Sequence, residues 1–548
     1  MNSTSFMSSP LGFAPRESVT PLDAINWTTV KVGPVVNVWF APAYEAPNRD
    51  PAETTLAWAG AAKASVEASL QATSNVANIT FNIVQDAAQA NWAFFLSPTM
   101  PSDNSEDESL GFFQNTRSEI DYGGAKYTFD GYGIFNASAS SWTDAGLQMG
   151  GSAFTTVLHE IGHGLGLSHP HDDSGEENDP NPPATIMRGV TGAFGSYGDN
   201  ELNQSVYTVM SYNDGWQTSP AGPLTDVVAY GASGGFGALD IAVLQAKYGA
   251  NTGFAAGDNV YNLPASDGDG TFYMSIWDTG GVDTISAARA SAGAIIDLRA
   301  ATLDYSDTGG GVVSYVTGVH GGVTIANGVV IENVIGGQGD DKITGNAANN
   351  VIAGDTGNDM IDGGAGRDTS LYGQSRASAG VTIENGTVTV AAQGGTDTLV
   401  NVERLQFTDE GLAFDTGAGE NAGVVFRTYQ AAFNRAPDEP GMGVWIKAAD
   451  QGMSFEQIAA GFLRSSEFET AYGANPTSET YVSKLYENIL GRAGEQSGID
   501  FWQTKLTEGA TQAMVLYTFA ESSENIDRTA ASVVNGVIYD LVSDALVA

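Results

Sequence analysis

The spacing of hydrophobic positions changes along the chain, and each change marks a different kind of structure. Residues 21 to about 250 mix two periods. VVNVWFAPAY from Val35 and ITFNIVQDA from Ile79 are β-branched and aromatic runs bounded by Pro, Asn and Asp, which predicts strands. Between them the alanine-rich AETTLAWAGAAKASVEASLQ, from Ala52, sets Leu56, Ala59, Val66 and Leu70 on one helical face. A second helix is predicted from near Ser152, carrying Phe154, Val157, Leu158 and Ile161. A third starts near Gly237, with Leu239, Val243 and Ala246 on one face and Gly249 at its C-terminus. Residues 172–203 are polar and rich in Gly, Pro and Asn, and read as a long loop.

From about residue 251 helical periodicity gives way to short β-branched runs between Gly, Asp and Asn. Residues 336–371 divide without a gap into GGQGDDKIT, GNAANNVIA, GDTGNDMID and GGAGRDTSL. A nonapeptide of this form makes a six-residue turn and a three-residue strand, and successive units coil into a parallel β-roll that binds calcium. The candidate calcium residues are Gly336, Gly339 and Asp341 in the first unit and Asn350 in the second. In the third and fourth they are Gly354, Gly357 and Asp359, then Gly363, Gly366 and Asp368. Oxygen ligands of this kind suit a hard cation. A flexible Gly/Asn/Asp-rich linker is the bland alternative. Against it stand a register held through four units and an apolar eighth position in three of them. Alternate units are expected to stack, so that Asp341 goes with Asp359 and Asn350 with Asp368.

After a glycine-rich hinge at DTGAGENAG the helical period returns, and with it an internal repeat. Tyr429 recurs as Tyr486, Arg435 as Arg492, Gly441 as Gly498, Trp445 as Trp502 and Phe462 as Phe519, always 57 residues apart. Each copy reads as helix, turn, helix, helix. Ser454 with Gln457 has the spacing of a capping box ahead of Ile458 and Phe462. The aromatic positions read as core rather than ligand contacts.

Composition narrows the functions available. The 548 residues carry 64 Asp+Glu against 22 Lys+Arg, a formal charge of −42, yet only 16% of residues are charged. The acidity therefore comes from a shortage of bases, which excludes a nucleic-acid binder or a clamp for anionic membranes. There is no cysteine, so disulfides, thiolate metal sites and thiol nucleophiles are excluded. The N-terminal stretch has neither a basic n-region nor an apolar h-region, so it is not read as a Sec signal.

The chemistry lies in TTVLHEIGHGLGLSHP. His159 and His163 are four apart, so on a helix both imidazoles leave one face and can meet one metal ion. Glu160, beside the first, can reach a water at that metal. Gly166 lets the chain leave the helix, and His169 comes round as a third ligand. Three neutral imidazoles with an open position suit a catalytic Zn²⁺. Ordinary helical histidines are the alternative, but three of only five histidines occupy the ligand spacing. His171 and His320 have no such spacing and read as surface or supporting residues.

Downstream, VYTVMSYND places Met210 two residues before Tyr212. With the eleven-residue histidine motif, this makes the chain resemble the serralysin-type zinc endopeptidases, metzincins with calcium-binding RTX repeats. ALDIAVLQAKYGANTGFAAGDNVYNL, FYMSIWDTGGVDTI and ANGVVIENVIGGQGDD extend the resemblance over residues 20 to 371. It implies that Met210 closes a turn beneath the metal. It also implies that Tyr212 is a fifth zinc ligand which swings away to stabilise the oxyanion, while Glu160 acts as general base. The expected architecture is multidomain. A zincin-like α/β protease domain spans 21–250, a parallel β-roll 251–418, and a duplicated all-α module 419–548. The loop at 172–203 departs from the family and leaves subsite specificity open.

The resemblance further implies a propeptide over residues 1 to about 20, Zn²⁺ and several Ca²⁺ as cofactors, and protein or peptide substrates. Calcium repeats and the aliphatic, acidic C-terminus IYDLVSDALVA fit export through a type I ABC apparatus of a Gram-negative cell to the exterior. The helical module is similar to modules of surface-layer and other type I-secreted proteins, and points to a cell-surface or surface-layer partner. The competing reading is a non-catalytic surface-layer or adhesin protein that keeps a protease scaffold. An inactive descendant would have no need to retain His159, Glu160, His163, His169 and Tyr212 together.

Overall fold

The computed structural model describes residues 17–45, 54–58, 60–99, 110–172, 185–224 and 227–542. The chain divides into two compact units, residues 1–346 and 347–548. Most of the N-terminal segment expected to be a propeptide lies outside the described residues, as do 173–184 of the long loop and 543–548 of the C-terminus.

The first unit begins with strands β1 (Val35–Phe40), β2 (Thr80–Val84), β3 (Trp92–Ser97) and β4 (Gly111–Gln114). A hairpin of β5 (Ser118–Tyr122) and β6 (Ala125–Phe129) precedes β7 (Gly131–Asn136). The main sheet runs β2-β1-β3-β7-β4. All neighbours are parallel except β4, which lies antiparallel to β7 at the edge. The central strand β3 is buried at every position, as WAFFLS requires of a strand covered on both faces. Three helices, α1 (Gly60–Val76), α2 (Ser152–Gly164) and α3 (Ala238–Tyr248), accompany it. Helix α2 packs against α1 and against β4 and β7.

The first helix starts later than its alanine-rich pattern suggests. Thr55 exchanges backbone hydrogen bonds of 2.9 and 3.0 Å with Tyr44, and the Leu56 amide donates to the Leu96 carbonyl at 2.7 Å. This extended pairing competes with helix, so Leu56 stays 38% exposed while Val66 and Leu70 are buried. Ala59 lies outside the described residues.

The first unit continues into short strands. Val260–Asn262, Thr284–Ser286 and Asn333–Ile335 pair in parallel. Ala294–Asp297 pairs in parallel with Lys342–Thr344, and Tyr273–Ile276 with Gly322–Ile325.

In the second unit Val351–Ala353, Thr369–Leu371 and Arg404–Gln406 form a parallel ladder, and Met360–Asp362 pairs in parallel with Gly395–Val400. Each nonapeptide strand occupies the last three positions of its repeat. The middle residues Ile343, Ile352, Ile361 and Ser370 are buried. Units two and four stack as expected, with Val351 opposite Thr369 and Ile352 opposite Ser370.

Each copy of the C-terminal repeat contains four helices rather than three. They are Asn421–Phe433, Glu439–Asp450, Phe455–Leu463 and Ser466–Tyr472, then Ser478–Leu490, Gln496–Thr507, Gln512–Ala520 and Ser523–Val533. The extra break falls at Ser465, whose hydroxyl caps the fourth helix at the Phe468 amide, 3.1 Å away. The Ser454–Gln457 capping box forms, at 2.9 and 3.3 Å. Tyr429 and Phe462 sit in the helical core. The buried Arg427 of the first copy pairs with Glu521 of the second at 2.5 and 3.0 Å.

The glycine-rich hinge does not end the sheet. Beyond the helices, Val537–Asp540 returns to pair antiparallel with Glu410–Ala413. The repeat is thus bracketed by two neighbouring strands, and the start of IYDLVSDALVA is one of them.

Candidate functional site

Helix α2 is buried along its length except at Ser152 and Thr156 in its first turns, and carries the buried His159, Glu160 and His163. At Gly166, where φ is +85°, the chain leaves the helix. A Cβ there would also meet the Val30 carbonyl at 2.7 Å, so glycine is needed for both conformation and space. The turn carries His169 back. Its Nε2 lies 3.1 Å from that of His159 and 3.0 Å from that of His163.

The opposite ring nitrogens explain why these three meet. His159 Nδ1 donates to the Val209 carbonyl at 2.8 Å, and His163 Nδ1 to the Leu167 carbonyl at 3.0 Å. A carbonyl only accepts, so the proton sits on Nδ1 and the Nε2 lone pair points inward. His169 Nδ1 faces both carboxylate oxygens of Asp172, at 3.0 and 3.1 Å. Burial holds His159 down to about 4, and His163 and His169 well below the usual imidazole range. Three neutral nitrogens thus aim lone pairs at one point, an arrangement that fits a divalent transition-metal cation.

Support for the cup arrives from distant chain. Trp27 stacks on the His163 ring with centroids 5.2 Å apart. Met210 is fully buried, and a Cβ on Gly162 would stand 2.8 Å from its sulfur, so Met210 packs directly beneath the α2 backbone. Asp240, in the first turn of α3, fixes the approach to Met210. Its carboxylate accepts from Thr208 Oγ1 at 2.7 Å, the Val209 amide at 2.8 Å and the Gly237 amide at 3.0 Å. Because Val209 also holds His159, Asp240→Ala is expected to cost about 3 kcal/mol or more of stability through stranded donors. It should also loosen metal retention. Urea denaturation and competition with a chromophoric chelator would measure both effects.

A cleft of about 460 Å³ opens beside the histidines, lined by Leu110 and Gly111 of the edge-strand side, Thr155, Thr156, His159 and Glu160 of α2, and Phe194, Val209, Ser211, Tyr212 and Asp214. Glu160 is buried, and desolvation pushes its carboxyl up to about 8 despite a hydrogen bond from the Phe113 backbone. A Cβ on Gly111 would stand 3.2 Å from Glu160 Cγ, so the edge strand passes close over the carboxylate. Tyr212 is 40% exposed. Its ring lies 4.8 Å from that of His169 and 5.6 Å from that of His159. His171, which has no ligand spacing, nevertheless packs 4.8 Å from Tyr212 and 4.9 Å from His169. His320 lies elsewhere, paired with Asp267 at 2.8 Å.

The position-six residues of the nonapeptides, Asp341, Asn350, Asp359 and Asp368, are all buried. In the first unit Asp341 accepts from the Ala294 and Gly337 amides, both at 2.6 Å. In the second, Asp368 accepts from the Asn350 amide at 2.7 Å, while its own amide donates to Glu403 at 2.8 Å. The Asp359 amide donates to Asp397 at 3.0 Å. Asp397 and Glu403 thus carry the ladder past residue 371, where the nine-residue period gives no sign of it. Asp368 Oδ2 has no hydrogen-bond partner among the described residues, and burial pushes this carboxyl up to about 7. Gly357 and Gly366 take φ values of +137° and +126°; side chains at Gly339 and Gly363 would collide with neighbouring turns, and one at Gly354 with the Asp359 carboxylate of its own repeat. Gly336 lies at the start of the first turn.

Residues 246–437 match the family described as Peptidase M10 serralysin C terminal. Residues 419–471 and 459–529 match a domain of unknown function, DUF4214. The chain is 31% identical over 295 residues to a serralysin of Photorhabdus luminescens, covering 51% of each. It is 35% identical over 206 residues to a serralysin of Proteus mirabilis, covering 36% of each, and 32% identical over 285 residues to serralysin G of Dickeya chrysanthemi. It therefore spans about half the length, or less, of the curated relatives it matches. Among solved structures, myroilysin aligns at 17% identity and a TM-score of 0.20, covering 41% of this chain and 98% of that one. Through the matched 246–437 segment and the likeness over about half its length, the chain is similar to the serralysins.

Proposed function

We propose that the chain is a secreted, zinc-dependent endopeptidase that hydrolyses peptide bonds of extracellular proteins. The observation that carries this is the convergence of three Nε2 atoms whose partner nitrogens are all engaged elsewhere. His159, His163 and His169 would hold the ion, with Tyr212 as a further ligand in the resting state. A zinc ion supplies Lewis-acid polarisation of a carbonyl and makes water acidic near neutral pH. Glu160, at the cleft wall beside His159, accepts the proton of the attacking water and returns it to the leaving amine. A positive ion in the cup also lowers the cost of ionising this desolvated carboxyl, which favours the base form. Casein zymography with and without 1,10-phenanthroline tests the reading. A clear band abolished by the chelator is expected, and a band indifferent to it would contradict zinc dependence.

Tyr212 is 40% exposed and lines the cleft, so its phenol is assigned to hydrogen-bond the tetrahedral oxyanion. Tyr212→Phe is then expected to lower kcat by about ten- to a hundredfold with little change in KM, because the hydrogen bond is made in the transition state. Steady-state kinetics on one peptide would measure the split, and an unchanged kcat would remove Tyr212 from the chemistry.

The buried position-six residues support calcium binding along the nonapeptides and a parallel β-roll of the RTX kind. Such a chain suits type I export, since it leaves the cell unfolded and folds on meeting external calcium. The duplicated helices are assigned to attachment at a cell surface or surface layer.

A further inference from the structure

The cleft holds a second carboxylate that the hydrolytic chemistry does not use. Asp214 lines it together with Glu160, and no lysine or arginine does among the described residues. Among the described residues nothing donates a hydrogen bond or ion pair to the Asp214 side chain. Gln217 donates to the Asp214 main-chain carbonyl instead, at 2.6 Å. The residue is exposed and lines the cleft.

The backbone on either side is rigidly held. Asn213 donates through Nδ2 to the Asn203 carbonyl at 2.9 Å, and its Oδ1 accepts from the Gly195 amide at 2.8 Å. Its main-chain carbonyl accepts from the Ser205 amide at 2.9 Å. On the other side the Gly215 amide donates to Ser205 Oγ at 2.6 Å, and its carbonyl accepts from the Val206 amide at 3.1 Å. Gly215 sits at φ +66°, with room for no side chain because a Cβ would meet the Gly231 carbonyl at 2.3 Å. An acid with no side-chain partner among the described residues is therefore presented on a fixed pedestal in a cleft whose described lining holds no lysine or arginine. A preorganised charge of that kind loses little on binding an opposite one, and strands any partner that cannot pair with it.

Resting on the endopeptidase reading, we infer that Asp214 selects a lysine or arginine side chain at one fixed position next to the scissile bond. The ammonium or guanidinium would pair with the Asp214 carboxylate, while an acidic side chain there would meet like charge.

The test uses the full-length, zinc- and calcium-loaded protein at pH 8 with quenched fluorogenic peptides that differ at single positions flanking the cut. At one position kcat/KM for Lys or Arg is expected to exceed that for Leu by roughly tenfold or more, and for Glu by a larger factor. In Asp214→Asn the Lys-to-Leu ratio should fall to near one, and in Asp214→Arg the Glu peptide should overtake the Lys peptide. Since ratios are read within each variant, a general loss of activity does not mimic the result. A flat profile for the wild-type chain, or a basic preference that survives in Asp214→Asn, would overturn the assignment while leaving the endopeptidase reading intact. If the zinc-loaded wild-type chain cuts none of the peptides, both fall together.

Discussion

Glu160→Ala is expected to reduce peptide hydrolysis by about two to four orders of magnitude while zinc stays bound. The two effects separate because of where Glu160 sits. The three inward nitrogens belong to His159, His163 and His169, and each is oriented by a partner other than Glu160. Removing the carboxylate thus takes away the proton acceptor and leaves the cup. It also relieves a desolvated acid, so the folded state should be no less stable. Single-turnover hydrolysis of a fluorogenic peptide, with zinc content measured on the same sample, gives both numbers. A zinc-loaded variant that turns over near the wild-type rate would transfer the base role to another residue.

Removal of calcium is expected to unfold the short-strand ladders cooperatively. Asp341, Asp359, Asp368 and Asp397 are buried, and Asp283 and Asp368 each keep an oxygen with no hydrogen-bond partner among the described residues. Burying such charges without a cation is costly, and a chain of net charge −42 adds its own repulsion. A ligand that binds only the native state stabilises it by about 2.7 kcal/mol per site at a hundredfold excess over Kd. Several sites together would therefore be comparable to the whole stability of an ordinary domain. Thermal unfolding by circular dichroism, with and without a calcium-selective chelator, should show a large fall in Tm. Asp341→Ala and Asp359→Ala should raise the calcium midpoint of folding more than Asn350→Ala, since each removes a formal charge and the amide does not carry one. Equal midpoints for the three variants would contradict the assignment.

What could be read in advance follows the reach of local spacing. His159 and His163 are one helical turn apart, and Gly166 sits where the turn must reverse, so the cup was legible from eleven residues. Its supports were not. Trp27, Asp240 and the Val209 carbonyl arrive from more than thirty residues away, and nothing in their own neighbourhoods announces a metal. Asp172 was legible only as the start of a loop, and His171 only as a surface or supporting residue outside the ligand spacing.

The same limit governs the fold. The nonapeptides place Ile343, Ile352 and Ile361 inward because a period of nine repeats a local turn and strand. Asp397 and Glu403 extend the ladder after the period has lapsed, so counting misses them. The start of the first helix moved because Thr55 finds a strand partner in Tyr44, a long-range choice that alanine content cannot foresee. The pairing of Val537–Asp540 with Glu410–Ala413 spans the entire helical repeat, and short-range patterns carry no trace of it.

The central claim is that one zinc ion in the cup of His159, His163 and His169 enables peptide hydrolysis. It is tested most directly by stripping the folded protein with 1,10-phenanthroline in calcium-containing buffer and titrating zinc back. The nitrogen chelator takes zinc and leaves calcium, so the fold survives the treatment. Peptidase activity should return linearly and reach its plateau at one zinc per chain, while His163→Ala should recover none at that stoichiometry. Full activity in the zinc-free protein, or recovery by His163→Ala equal to that of the wild-type chain, would contradict it.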